Sequence, residues 1–240
     1  MVGKNQIKLI ASLQQKKFRQ THGLFLAEGV KGIAELLASD FELHHLYETA
    51  DVFPEVSSSV KTRISEADLK KMSALSAPNN CLAVFRIKKP QPIEEKGLVL
   101  ALDDIRDPGN LGTIIRLCDW FGIKELVCSQ ETVDVFNPKV VQATMGSLAR
   151  VNVHYVELPA FLTETSLPVL GTFMDGENIY ARQLPKAGVI VMGNEANGIS
   201  AAVERAVGRR LTIPRYGSMQ TESLNVATAT AIVLSEFRRN

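Results

Sequence analysis

Three stretches of this chain gather amides, a carboxylate, a hydroxyl and a guanidinium where a polar ligand could be held. In the first, the apolar run Leu98-Val99-Leu100-Ala101-Leu102 empties into the polar turn Asp103 to Asn110, then into a stretch with Leu111, Ile114, Ile115, Cys118 and Phe121 on one side. That pattern is a buried strand, a turn and an amphipathic helix, and in open α/β sheets ligands sit at the carboxyl ends of strands. Asn110 falls where an N-cap belongs after Pro108-Gly109. Arg116 falls off the apolar stripe, where its side chain can lean back toward the turn. The second stretch, Val189-Ile190-Val191-Met192-Gly193-Asn194-Glu195-Ala196-Asn197-Gly198-Ile199-Ser200, is a strand ending in a tight loop with glycine at both ends and an acid between them. Gly193 there permits a close backbone approach to a ligand. In the third, a strand stops at Pro214, a polar loop follows, and Ser223-Leu224-Asn225 opens a helix of small residues, Ala227 to Ala231. Each stretch has a plainly structural reading too: Asn110 and Ser223 as caps, Arg116 paired on the surface with Asp119, the glycine loop as an ordinary connection.

The elements that must position these groups alternate between strand and helix. Ile7, Ile10 and Leu13 recur at helical spacing; Gly23 to Gly29 reads as a strand, Val30 to Ala38 as a helix, Leu43 to Tyr47 as a strand, 66–75 as a helix capped by Ser65, and Cys81 to Ile87 as a strand. Residues 1–90 form a small α/β domain on this reading. Lys88 to Lys96, with Pro90 and Pro92 among its charges, has the composition of a linker, placed at 91–96. From 97 to 240 the pattern restarts with stronger strands at Ile123 to Cys128, Val151 to Val156, Val169 to Phe173, Val189 to Gly193 and Leu211 to Pro214, and with helices near 138–148, 200–208 and 223–238. Short apolar strands with intervening helices predict an α/β fold with a mostly parallel sheet covered on both faces.

Composition narrows the function. Hydrophobic content of 45% and charged content of 22% are those of a soluble globular protein, and no apolar run approaches the length of a membrane span. Cys81, Cys118 and Cys128 are odd in number, sit in apolar contexts and form no CxxC, which reads as reduced core cysteines of a cytoplasmic protein. The four histidines lack metal-ligand spacing, so no metal is expected. No GxG, P-loop or G-x-S-x-G motif occurs, which argues against a nucleotide-cofactor enzyme of the dinucleotide-binding kind and against an α/β-hydrolase. The net charge of +1 conceals an asymmetry: 14 Lys and Arg against 11 Asp and Glu in residues 1–96, and 13 against 15 in the remainder. Lys4, Lys8, Lys16, Lys17 and Arg19 all precede the first acid, Glu28. Such a leading segment suits a polyanion such as RNA, or equally a solvated helix face.

Taken together, Asn-Leu-Gly-Thr-Ile-Ile-Arg (110–116), Gly-Asn-Glu-Ala-Asn-Gly-Ile-Ser (193–200) and the run from Ile213 to Ala227 resemble, in order and spacing, the three signature motifs of the SpoU/TrmH family. These are RNA ribose 2′-O-methyltransferases of the SPOUT class. The front domain resembles the family's ribosomal-protein-like substrate-binding domain through Phe25 to Gly29 and Leu82-Ala83-Val84. The resemblance implies a sheet closed by a trefoil knot, S-adenosylmethionine as cofactor, a homodimer, and an RNA substrate, ribosomal before transfer RNA with both open, bound in part by Lys4, Lys8, Lys16, Lys17 and Arg19. It implies a cofactor pocket from Thr172, Met192, Gly193, Asn194, Glu195, Gly198, Ile213, Pro214, Ser223 and Leu224. It also implies Arg116 as the residue at the ribose hydroxyl, with Asn110, Glu195, Ser223 and Asn225 around it. A non-catalytic RNA-binding or ribosome-assembly protein is the competing reading, and intact residues at 110, 116, 195, 223 and 225 weigh against it.

Overall fold

A computed structural model of the chain describes residues 2–181, 183–217 and 223–239. The chain divides into two compact units, residues 1–89 with 134–150, and residues 90–133 with 151–240. Among the described residues no helix is long and apolar enough to cross a membrane.

The first unit begins with helices α1 (Lys4–Ser12) and α2 (Lys16–His22), followed by β1 (Leu24–Glu28), α3 (Val30–Leu37), β2 (Leu43–Glu48), β3 (Lys61–Arg63), α4 (Glu66–Met72) and β4 (Cys81–Arg86). The sheet order is β1-β4-β2-β3, with β4 antiparallel to both neighbours and β3 parallel to β2. β1 is buried along its whole length because Leu24, Leu26, Tyr47, Leu82 and Val84 close on Ile10 and Leu13 from α1 and on Leu69 and Met72 from α4. Ser65 caps α4 by accepting from the Asp68 N–H, as expected. The helix at α2 and the short strand β3 carry too little apolar patterning to be read in advance; β3 has a single row of partners, on β2.

In the second unit the chain runs through β5 (Leu98–Leu102), α5 (Pro108–Trp120) and β6 (Glu125–Ser129). It then lends α6 (Pro138–Thr144) to the first unit. α6 lies against β1 there, and Phe136 packs its ring 4.7 Å from that of Phe25. Residues 134–150, expected within the domain from 97 onward, cluster with the first unit instead, where α6 joins α2 and α3 against β1. The expected helix to 148 stops at Met145, whose φ of 52° ends the helical run.

The remaining elements are β7 (Asn152–Val156), α7 (Leu158–Glu164), β8 (Val169–Asn178), β9 (Gly188–Met192), α8 (Ala201–Glu204), β10 (Arg209–Thr212) and α9 (Val226–Arg238). Six strands pair in the order β10-β8-β9-β5-β6-β7, every pair parallel. β5, β6 and β9 are buried at every residue, which is why β5 and β9 are almost wholly apolar, while β6 carries its buried polar residues, Glu125 and Ser129, at its two ends. Val99, Ala101, Val127, Val189 and Val191 face Leu158 and Leu162 of α7 and Val203 of α8. Within β6 and β7, His154 Nε2 lies 2.7 Å from Glu125 Oε2, and Asn152 donates to the other carboxylate oxygen at 2.8 Å.

β10 sits at one edge of the sheet, yet the next element, α9, packs on α5, which follows the central strand β5. This excursion to the edge and back is the path along which the family resemblance places a knot. Between Arg210 and Leu211 the pairing on β8 jumps from Gly171 to Glu177, so β8 arches away over 172–176 and returns. A Cβ on Gly176 would lie 2.5 Å from the Leu211 carbonyl carbon, so only glycine allows the strands to close again.

Candidate active site

β5 and β9 are neighbours from which the chain leaves in opposite directions, β6 following on one side and β10 on the other. The crevice at their carboxyl ends is the place where α/β sheets bind ligands. The two turns are laced together. Asp103 N–H donates to the Met192 carbonyl at 2.9 Å, and the buried Asp103 carboxylate accepts from Ser200 N–H at 2.7 Å. Asp104 holds a φ of 58°, uncommon for a residue with a side chain, and is fixed there by Asn194 Nδ2 on its carbonyl at 2.7 Å and by its own N–H on Ser129 Oγ at 3.0 Å.

α5 does not start at Asn110. Asp107 is its N-cap, accepting from the Asn110 N–H at 2.8 Å, with Pro108 in the first helical position that proline favours. This correction matters, because a cap would have spent the Asn110 amide on its own backbone. Set inside the first turn, the side chain is free to reach outward. Likewise α9 is capped by Asn225, not Ser223: Asn225 Oδ1 accepts from the N–H groups of Ala227 at 3.0 Å and Thr228 at 3.2 Å.

Those caps set the direction of a hydrogen-bond chain. With its oxygen committed to α9, Asn225 presents Nδ2, which donates to Asn110 Oδ1 at 2.9 Å. Asn110 must then present its own NH₂, and Nδ2 donates to Glu195 Oε1 at 2.6 Å. Each amide is thereby oriented by its neighbour, and the chain ends on an acceptor that suits a carboxylate. Asn110 of the first stretch thus meets one residue from each of the other two.

α5 and α9 run parallel, 13 residues each, and are pinned at both ends. Asn110 meets Asn225 at the start; at the finish Arg238 donates to the carbonyls of Phe121 at 2.8 Å and Gly122 at 3.1 Å. Two helix N-termini therefore stand side by side, and their summed dipoles favour negative charge at the Glu195 end of the amide chain. Arg116 lies six residues beyond Asn110 on α5, about 9 Å along the axis, with its side chain exposed. Among the described residues it makes no hydrogen bond or ion pair, and the expected surface pairing with Asp119 is not formed. It is a free permanent cation near the amide chain but outside it.

The expected cofactor residues divide by what their side chains already do. Met192 is buried, and Thr172 Oγ1 donates to the Val191 carbonyl at 3.1 Å. Asn194 shapes its own loop: its backbone exchanges two 2.9 Å hydrogen bonds with Gly198, and its Oδ1 accepts from Ala196 and Asn197. Gly193 is required for a reason other than ligand approach, since a Cβ there would lie 2.3 Å from the Gly198 carbonyl carbon and 2.4 Å from Ile199 N. The loop folds back onto it. Ile213 and Pro214 are half-buried, Ser223 is exposed, and Leu224 is an apolar side chain left 47% exposed. Ser218 to Glu222 of the third stretch lie outside the described residues.

Of the basic leading residues, Lys4, Lys8, Lys16 and Lys17 are exposed. Arg19 is corrected: it is 2% exposed, donating through Nε to Asp134 at 3.1 Å and through Nη1 to the carbonyls of Leu13 at 2.9 Å and Gln14 at 2.8 Å. Its charge is consumed within the first unit and is not offered to a polyanion. Sequence reasoning misses Asp107 and Arg238; the Asp-Pro pair that opens α5 is the available signal for the first.

Residues 97–235 match the sequence profile of the SpoU rRNA methylase family, and residues 4–83 match that of the MRM3-like substrate binding domain. The chain is 30% identical to the 23S rRNA (guanosine(2553)-2′-O)-methyltransferase RlmP of Bacillus subtilis, over 98% of this chain and 97% of that protein. A solved structure from Porphyromonas gingivalis assigned to the TrmH family of RNA methyltransferases is 40% identical, covers 100% of this chain and 99% of its own, and superposes with a TM-score of 0.91. The AdoMet-bound rRNA methyltransferase of Sinorhizobium meliloti is 29% identical, covers 100% of this chain and 97% of its own, and gives a TM-score of 0.88.

Proposed function

Because this chain belongs to the SpoU rRNA methylase family, we propose that it transfers a methyl group from S-adenosylmethionine to a ribose 2′-hydroxyl of structured RNA, ribosomal RNA before transfer RNA. The observation that carries the reading is the Asn225–Asn110–Glu195 chain at the β5/β9 crevice, which draws one residue from each signature motif into a single polar wall.

The residues around the crevice fit the cofactor by their chemistry. Ile213, Pro214 and the exposed Leu224 offer apolar faces for an adenine ring, the loop from Gly193 to Gly198 offers main-chain groups, and Glu195 supplies a charge opposite in sign to a sulfonium. When bound, the cofactor brings a methyl carbon already activated by the positive sulfur, so the chemistry calls for no metal.

A ribose hydroxyl is a poor nucleophile at neutral pH, and the protein's task is to align it and to favour its anionic form. Arg116 hydrogen-bonds that oxygen and a neighbouring phosphate through its planar guanidinium, and stabilises the charge that grows as the proton departs. The paired N-termini of α5 and α9 reinforce the same sign of potential. Asn110, held by Asn225 on one side and Glu195 on the other, fixes the wall against which the ribose rests, and Ser223 extends it. The oxygen–carbon bond forms as the sulfur–carbon bond breaks, and the hydroxyl proton passes to solvent.

RNA recognition falls to the N-terminal domain, with Lys4, Lys8, Lys16 and Lys17 as the exposed cations that meet phosphates. A homodimer belongs to the same reading: Trp120, 85% exposed one turn beyond Arg116, is an aromatic surface that a second copy would cover. Three buried, unpaired cysteines suit a reducing cytoplasm. The deciding experiment maps alkali-resistant ribose methylation in total RNA from cells with and without the protein. One rRNA nucleotide losing its 2′-O-methyl mark in the deletion, and regaining it with purified protein and S-adenosylmethionine, is expected; identical maps would refute the reading.

A further inference from the structure

The turn between β5 and α5 carries a second exposed arginine that none of the chemistry above uses. Arg106 is 72% exposed, and its Nε donates to Asp104 Oδ1 at 2.8 Å. A guanidinium presents its N–H donors in one fixed plane. The two Nη groups of Arg106 meet no acceptor among the described residues, so the outer end of the fork stands open.

The residue that grips Arg106 is itself gripped. Asp104 keeps its φ of 58° although side chains are disfavoured there, and the bonds that fix it, from Asn194 Nδ2 to its carbonyl and from its N–H to Ser129 Oγ, are made by its main chain. Glycine would make both bonds without the strain. What glycine could not do is hold Arg106, and that bond is the one side-chain contact of Asp104 among the described residues. A strained residue kept for a single contact points to a use for that contact. The bond from Asn194 also ties Asp104 and Arg106 to the loop that carries Glu195, where the amide chain ends.

An open guanidinium fork fits an oxyanion, which it takes by two parallel bonds. Of the nearby acids, Asp103 is spent on Ser200 N–H and Asp107 on Asn110 N–H, while Glu131 adds a second carboxylate to the field of Asp104. A free anion gains little at a cation so surrounded; an anion carried by a polymer already held elsewhere arrives at high effective concentration. On the methyltransferase reading two oxyanions come to the crevice, the phosphodiester of the RNA and the carboxylate of the cofactor. Arg106 stands toward β6: Ser129 at the end of that strand holds Asp104, and Glu131 follows two residues later. The expected cofactor residues belong instead to the ends of β8, β9 and β10 and the approach to α9, on the other side of β5. We propose that Arg106 receives a phosphodiester of the RNA strand lying in the crevice, with Asp104 as the residue that positions its fork. The inference rests on the methyltransferase reading for the identity of the polymer.

The test measures binding of the full chain to rRNA purified from cells lacking the protein, over a salt series, and then methylation of the same RNA. Arg106→Ala should weaken binding about fivefold and flatten the slope of log affinity against log salt by about one, the loss of a single phosphate contact. It should raise KM for RNA to a similar degree with kcat within about twofold of the parent. Affinity for S-adenosylhomocysteine, which keeps the cofactor's carboxylate, should stay at the parent value. Asp104→Gly removes the grip on Arg106 and relieves the backbone, so it should melt at or above the parent temperature and still raise KM for RNA about twofold or more. A residue that served the fold alone would lower the melting temperature and leave KM untouched. An unchanged salt slope in Arg106→Ala, weakened S-adenosylhomocysteine binding in that variant, or a parental KM in Asp104→Gly would overturn the proposal. RNA bound by the parent with the arginine-dependent slope but never methylated would count against the methyltransferase reading and uphold the contact.

Discussion

The side-chain amide of Asn225 donates to that of Asn110 across 2.9 Å, joining the N-cap of α9 to a residue 115 positions earlier. Replacing Asn110 by alanine removes the middle member of the chain and leaves Glu195 and Asn225 without their shared partner. The helix keeps its cap, because Asp107 supplies it. The variant should melt near the parent temperature and bind S-adenosylhomocysteine comparably, while kcat for RNA methylation falls by about 100-fold, the scale of a misplaced reacting group. A kcat within about threefold of the parent would show the amide chain to be architectural only.

Arg116→Ala should be more severe in turnover and neutral in stability. The guanidinium is exposed and makes no hydrogen bond or ion pair among the described residues, so its loss disturbs nothing in the fold. Methyl transfer should drop by about 1,000-fold, and cofactor affinity measured by calorimetry should persist. Lysine, with a point charge in place of a planar fork, should recover only a minor fraction of the activity.

Two substitutions among the leading basic residues should part company. Arg19→Ala strands Asp134 and two backbone carbonyls inside the first unit and should destabilise by about 3–5 kcal/mol in denaturant titration. Exchanging Lys4, Lys8, Lys16 and Lys17 together for alanine should leave the denaturation midpoint in place. RNA affinity should instead fall, and the slope of log affinity against log salt should flatten by about one for each phosphate that a lysine no longer neutralises.

Gly193→Ala pushes a methyl group into the Gly198–Ile199 backbone, which has no flexible side chain to move aside. The variant should lose about 1–3 kcal/mol or more, and should lose S-adenosylhomocysteine binding in calorimetry because the loop carrying Glu195 must shift. An alanine variant with parental stability and binding would mean that the loop opens freely.

Burial pushes the Cys81 thiol up to about 11, and raises those of Cys118 and Cys128 further. The folded protein keeps these thiols protonated where the unfolded chain would ionise them. Their contribution to stability is complete below the ordinary thiol range near about 8.5 and is lost as the pH climbs through it toward the folded value. The melting temperature should decline between about pH 8.5 and 11, and alkylation of the cysteines at about pH 8 should be slow until denaturant is added. Fast labelling of the native protein would contradict the buried placement.

Much of this architecture is legible in residue order alone, and the failures have local causes. The strands β5 and β9 announce themselves because a sheet covered on both faces needs unbroken apolar runs. Glu195 and Asn225 stand out through their flanking glycines and small residues. Asn110 stands out for the wrong local reason: it has the chemistry of a cap, but the Asp107-Pro108 pair is the stronger helix start. Arg19 misleads because its partner Asp134 comes 115 residues later, and nothing in a run of lysines marks the one cation that turns inward. α7 carries its signal in Pro159, at a position favoured in first turns, but its seven residues span too few periods to stand out.

The parallel bracing of α5 by α9 bears on how the protein is made. While the ribosome is still short of the final helix, Asn110 has no second amide to lean on and the carbonyls of Phe121 and Gly122 await the cation of Arg238. α5 is therefore braced at both of its ends only once α9 is in place. Shortening the helix by its last turn would remove the Arg238 donor from Phe121 and Gly122 and leave the Asn225–Asn110 contact standing.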